Sequence, residues 1–156
     1  MKNKGMRIRL FLFLVLSLFL VSCSRSDDDR EIRSLFFQMK AEAEALDTQA
    51  LCSHISKDYK DRSENNYFIV CTLIKRYLTG LNSLEADLNI LGISVQGKQA
   101  KAELELVVKA SRGNNTYYVL GNDQVPEYPV VWLSKERVGW KIIRVEGISQ
   151  SEESWW

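Results

Sequence analysis

Between Leu81 and Leu88 the hydrophobic period of this chain changes from about 3.6 residues to about 2, and it does not change back. Upstream, Ile32, Leu35, Phe36, Met39, Ala43 and Leu46 recur at helical intervals, with Arg33, Lys40, Glu42 and Glu44 elsewhere around the wheel. Asp28 and Glu31 stand at capping-box spacing before that run, so a long amphipathic helix is expected to start there. Asp47 is placed to cap a shorter helix carrying Leu51, Cys52 and Ile55 on one side. Residues 57–66 read as a charged loop with Tyr59 as its large ring before a third helix marked by Tyr67, Val70, Cys71, Ile74, Leu78 and Leu81. Gly80 and Asn82 help to end it.

Downstream, residues 88–95 alternate, and residues 96–98 (Gln, Gly, Lys) make a turn. The next segment is the cleanest strand of the chain. Ala100, Ala102, Leu104, Leu106, Val108 and Ala110 alternate with Lys101, Glu103, Glu105, Val107 and Lys109. One buried face and one solvated face mark an antiparallel sheet. Further strands are expected over 116–120, 128–134 and 139–145. Helices first and strands afterwards, without βαβ alternation, give an α+β domain with three N-terminal helices packed on an antiparallel sheet.

The N-terminus carries a different message. Lys2, Lys4, Arg7 and Arg9 form a positive segment without acids, residues 10–21 are apolar except for Ser17, and small Ser22 precedes Cys23. That order is a secretory leader, too short and wrongly flanked for a spanning helix. Leu20, Val21, Ser22 and Cys23 resemble the lipobox of bacterial lipoproteins, which implies that the leader 1–22 is removed and Cys23 becomes a lipidated first residue. Several acyl chains on one residue hold a protein at the bilayer almost permanently, whereas one chain holds it marginally. Ser24 rather than Asp after the cysteine implies, by the same resemblance, sorting to the outer membrane. Residues 23–28 then read as a short polar tether, 29–147 as one domain and 148–156 as a tail ending in Trp155 and Trp156.

Without the leader, 134 residues remain, the size of a single domain, with 17 Lys and Arg against 20 Asp and Glu. A net charge of −3 outside the cytoplasm speaks against nucleic acid, which needs a basic stripe. Cys52 and Cys71 remain once Cys23 is used. An oxidising envelope invites a bridge between them, yet both fall on apolar helix faces, where a free cysteine behaves as a small hydrophobe. Buried free thiols are therefore expected over a disulfide.

Helix, short helix, helix and then a meander closing on Gly139, Trp140, Lys141, Ile142 and Ile143 resembles the nuclear-transport-factor-2-like superfamily, which includes the ketosteroid-isomerase-like domains. Leu46, Asp47, Ala50 and Leu51 at the first helix junction, and Asp58 with Tyr59 after it, are similar to that family. The resemblance covers about residues 29–147 and implies a cone: a curved sheet wrapped around the helices, with a pocket at the open end. Gly92 inside a strand fits the bend a cone requires. Enzymes of this superfamily, such as isomerases, dehydratases and cyclases, use an Asp or His in the cone, often with a Tyr donor. Where they place a small strand pair between the second and third helices, this chain has the charged segment 57–66.

The catalytic candidates are thus His54 or Asp61 as base and Tyr59, Tyr67 or Tyr77 as donor. The structural alternative pairs His54 with Asp58 on a helix surface and leaves Asp61 to solvate a loop. No spacing demands chemistry, and His54 with Asp58 supplies two ligands where a metal site wants three or four. No metal or cofactor is expected. Tyr67, Tyr77, Leu104, Leu106 and Val108 are the expected pocket walls, suited to an apolar ligand. The sequence therefore points to an anchored envelope domain that binds a small apolar molecule or a protein partner, as a monomer or weak dimer. The alternative is an envelope enzyme acting on a hydrophobic carbonyl compound.

Overall fold

The computed structural model describes residues 22–148; the leader and the Trp155 and Trp156 tail lie outside the described residues. Helix α1 spans Ser22–Glu44, α2 Thr48–Ser53 and α3 Tyr67–Leu78. Strands β1 Ser83–Gln96, β2 Gln99–Arg112, β3 Asn115–Leu120, β4 Val130–Glu136 and β5 Gly139–Glu146 follow. The helices pack on one face of a sheet ordered β1-β2-β4-β5, with β3 paired to the distal part of β2.

The first difference from the sequence reading is where α1 begins. It runs without a break through residues 23–28, the expected tether. Ion pairs one turn apart, Arg30 with Asp27 at 2.8 Å and Arg33 with Asp29 at 2.7 Å, favour helix over coil there. Asp28 is consequently no cap but a side chain buried within the helix. The far end closes as a Schellman motif: Asp47 N–H bonds the Glu42 carbonyl and Leu46 N–H the Ala43 carbonyl, both at 2.9 Å. Leu46 sits at φ 57°, where glycine is usual. Asp47 then caps α2 by accepting from Ala50 N–H at 2.9 Å, and Asn66 caps α3 through Phe68 and Ile69.

β2 divides the sheet. Its first part, Gln99 to Glu103, pairs with β4, and its last part, Val108 to Arg112, pairs with β3. β1 starts at Ser83, five residues before the expected start at Leu88, and shifts register between Ile90 and Gly92. A bulge at that point bends the strand. The even residues of β2 from Ala100 to Ala110 point to the helices, and all but half-buried Leu106 are buried. Two apolar clusters fill the interior. One gathers Ile32, Phe36, Tyr59, Leu104, Leu133 and Trp140; the other gathers Leu51, Leu78, Leu84, Val108 and Ala110.

Candidate functional site

Four of the five expected pocket walls lie in the two apolar clusters or against them. Leu104 and Val108 are buried in the two clusters, Tyr67 and Leu106 pack against them, and Tyr77 is half-buried. Tyr59 and Trp140 bring their rings into the same space from the 57–66 segment and β5, and both are buried. The two best-formed concavities lie elsewhere, and none of the five expected residues lines either one.

The larger concavity, about 610 Å³, is an open groove between α1 and the start of β5. His54 borders it together with Glu31, Gln38, Trp140 and Lys141. His54 is the C-cap of α2 and is 8% exposed. Its partner is not Asp58. Nε2 lies 2.8 Å from Glu42 Oε2 on α1, and the His54 carbonyl accepts from Ile142 N–H at 2.9 Å. Asp58 is exposed and donates its N–H to Ser56 Oγ at 3.1 Å. The expected surface pair is corrected because α2 ends at Ser53, so Asp58 does not stand one helical turn beyond His54, while α1 brings Glu42 to the imidazole.

Asp61 organises its own loop. Its Oδ1 accepts from Ser63 N–H at 2.9 Å and Asn65 N–H at 3.0 Å, and its Oδ2 accepts from Asn65 Nδ2 at 2.9 Å. Tyr59 hydroxyl approaches Oδ2 at 3.5 Å, too long to count as more than a marginal contact. Burial, and then the Asp61 charge, pushes the Tyr59 phenol up to about 12. The 57–66 segment is not pure loop: Lys60 and Asn66 form one antiparallel bridge. Neither Asp61 nor Tyr59 lines either of the two best-formed concavities. Among the described residues no three of His, Cys, Asp and Glu are grouped to hold a metal ion.

The expectation of free thiols is also corrected. Cys52 of α2 and Cys71 of α3 are joined in a disulfide, with Cα atoms 5.7 Å apart. That separation lies within the range a bridge requires. Each apolar helix face does bury its thiol, but the two faces bury against each other.

The feature that sequence reasoning missed is the other side of α3. Phe68 is 73% exposed, Ile69 43% and Leu73 40%, and with Thr72 they line a shallow concavity of about 240 Å³. The signal was present: residues 67–74 run for eight positions without a charge, so apolar groups occupy more of the helix than one face can bury. α3 contains no acid at all, and Lys75 and Arg76 stand in its last turn. At its start the Lys57 ammonium lies 3.3 Å from the centre of the Tyr67 ring.

No family model matches the chain, and no curated protein matches it in sequence. Solved structures do. A nuclear-transport-factor-2-like protein with a cystatin-like fold from Novosphingobium aromaticivorans superposes with a TM-score of 0.61 at 18% identity, covering 90% of each chain. The fold is nuclear-transport-factor-2-like. A candidate scytalone dehydratase from the same organism gives 0.65 at 13% identity over 78% of this chain and 83% of its own. Bd1075 of Bdellovibrio bacteriovorus gives 0.62 at 17% identity over 82% of this chain but 44% of its own, so this chain spans less than half of that protein. At such identities the likeness carries the fold and not an activity.

Proposed function

We propose that this is a lipid-anchored protein of the bacterial cell envelope, held by Cys23 and favouring the outer membrane, whose domain binds an apolar segment of a protein partner without turnover. The observation that carries the binding half is the outer face of α3, where Phe68, Ile69 and Leu73 stand in solvent around a concavity. Large side chains clustered on an exposed helix face mark interaction surfaces. A small apolar ligand inside the cone is less well supported, because Tyr59 and Trp140 occupy that space. The anchor half rests on the leader and lipobox of residues 1–23.

One observation favours the enzyme as second reading: the His54 imidazole, backed by Glu42, borders the groove. That groove also presents Asp27, Arg30, Glu31 and Lys141, which suits a polar guest and not a hydrophobic carbonyl compound. The test is a photo-crosslinking amino acid placed at position 68 or 73 in the full chain in living cells, with position 85 on the outer sheet face as control. A discrete protein adduct from 68 and 73, lost on Ile69→Glu, is the expected result. Adducts that are absent, or equal from all three positions, would sink the binding reading.

A further inference from the structure

We propose that the β4–β5 turn, with Arg137 and Val138 at its tip, is a second membrane contact that seats the domain on an anionic bilayer surface. The inference rests on the anchor reading above and says how the anchored domain lies. The helical rise of about 1.5 Å per residue puts Asp28 only about 7.5 Å along the axis from Cys23. Asp28 is also where α1 grips the hairpin. Its buried carboxylate accepts from Lys135 Nζ and from Trp140 Nε1, the latter at 3.3 Å, and Glu31 lies 3.5 Å from the same lysine. Gly139 brings the turn still closer. It has φ +111°, and a Cβ there would stand 3.0 Å from Glu31 Oε1. The turn is therefore pinned beside the first turns of the helix that carries the acyl group.

The chemistry of the tip suits headgroups. Val138 is 70% exposed, and Arg137 beside it is exposed. Lys98 of the β1–β2 turn adjoins them, its carbonyl accepting from Lys135 N–H at 2.8 Å. Neither Arg137 nor Lys98 is paired with a carboxylate among the described residues, whereas the acids nearby are engaged. Asp27 pairs with Arg30 and Asp29 with Arg33, Asp28 and Glu31 hold Lys135, and Glu136 accepts from Ser56 Oγ at 2.7 Å. Arg137 and Lys98 are thus the cations at the tip without a carboxylate partner among the described residues, beside exposed Val138, while the Glu136 carboxylate is tied to Ser56. The Asp28 grip on this hairpin lies about one Debye length, roughly 8 Å, along the helix from the residue that carries the acyl group. On the anchor reading the acyl chains of Cys23 enter the bilayer at this end, so the occupant facing the turn is a bilayer and not a folded partner. Arg112 and Gly113, at the other end of β2, are carried some 40 Å away along the strand, and α3 is fastened there by Arg112 Nη2 donating to the Thr79 carbonyl at 3.2 Å.

The test uses the full chain, processed in a bacterial host, checked by intact mass and reconstituted into vesicles. Val138→Cys carries a nitroxide, and Asn114→Cys at the distal turn carries it as control. With Cys52 and Cys71 bridged and Cys23 acylated, the new thiol is the one that reacts. In phosphatidylglycerol-containing vesicles, access of a water-soluble nickel chelate to position 138 is expected to fall about threefold against neutral phosphatidylcholine vesicles, with position 114 unchanged. Arg137→Glu with Lys98→Glu should abolish the difference. Position 138 remaining as open as 114 in the acylated chain overturns the proposal. If the mass shows Cys23 without acyl chains, the anchor reading fails by itself; the turn contact then falls only if 138 is also as open as 114.

Discussion

The Oδ1 atom of Asp28 accepts from Lys135 and from the Trp140 indole at a site that is 6% exposed. Asp28→Ala would leave the buried Trp140 donor without a partner and Lys135 with only the longer Glu31 pair, a loss of about 1–3 kcal/mol. Asp28→Asn keeps an acceptor and should lose less; urea midpoints of the three proteins order them. Sequence spacing reads this residue as a cap because Glu31 follows at the right interval, and its true partners lie more than a hundred positions on. The same blindness explains His54: i to i+4 spacing offers Asp58, while Glu42 comes from another helix. Tyr59 gives a second prediction. Its phenol is raised from an ordinary 10.0 to about 12, by burial first and the Asp61 charge next. A raised group contributes stability that is whole below its unfolded value and is lost as pH rises through the folded one. Stability should therefore fall between about pH 10 and 12, and Tyr59→Phe should flatten that limb in thermal unfolding. An unchanged alkaline limb in the variant would show the phenol to be solvated.

The Cys52–Cys71 bridge joins α2 to α3 across a sequence separation of 19 residues. Closing a loop of that size stabilises by roughly 3 kcal/mol in the chain-entropy account. Two outcomes follow. Alkylation in denaturant without reductant should modify neither cysteine. Replacing both by serine should raise hydrogen exchange throughout 67–78 before the sheet responds, because α3 leans on α2 and turns its outer side to solvent. Exchange rising equally in β2 would contradict that local role. At this scale the sequence is most transparent where one period dominates. The parity of β2 was readable because charge and apolarity alternate over eleven positions, and the buried stripe of α1 because it repeats over four turns. Leu84 and Ala86 already alternate with Glu85 and Asp87, so the early start of β1 was legible as well. Contact between two helix faces is not a periodic property, and there the free-thiol expectation failed.

At the scale of the whole molecule, the order of elements was readable and the state of the cone was not. Whether a cone is open depends on ring volume set against sheet curvature, and no local pattern encodes that balance. The surface supports a prediction on assembly. Lys101 and Glu103 pair at 2.6 Å on the outer face of β2, and Lys109 pairs with Asp123 at 2.9 Å, so burying that face would desolvate four charges. The chain freed of its acyl group should sediment as a monomer or weak dimer; a stable dimer centred on Glu103 and Glu105 would refute the argument. The anchor itself sets the final prediction. No described helix is long and apolar enough to cross a membrane; the anchor proposed above would hold the chain through the leader before processing and through lipid on Cys23 after it. Membrane fractionation cannot separate these, because an unprocessed leader also holds the protein at the bilayer. Mass can. Cys23→Ala should leave a precursor that keeps residues 1–22 and takes no labelled palmitate, while the wild-type chain loses them and is labelled. Maturation of the variant at residue 23 with palmitate still attached would mean that another residue bears the lipid, and the helix α1 would no longer fix which end of the domain faces the membrane.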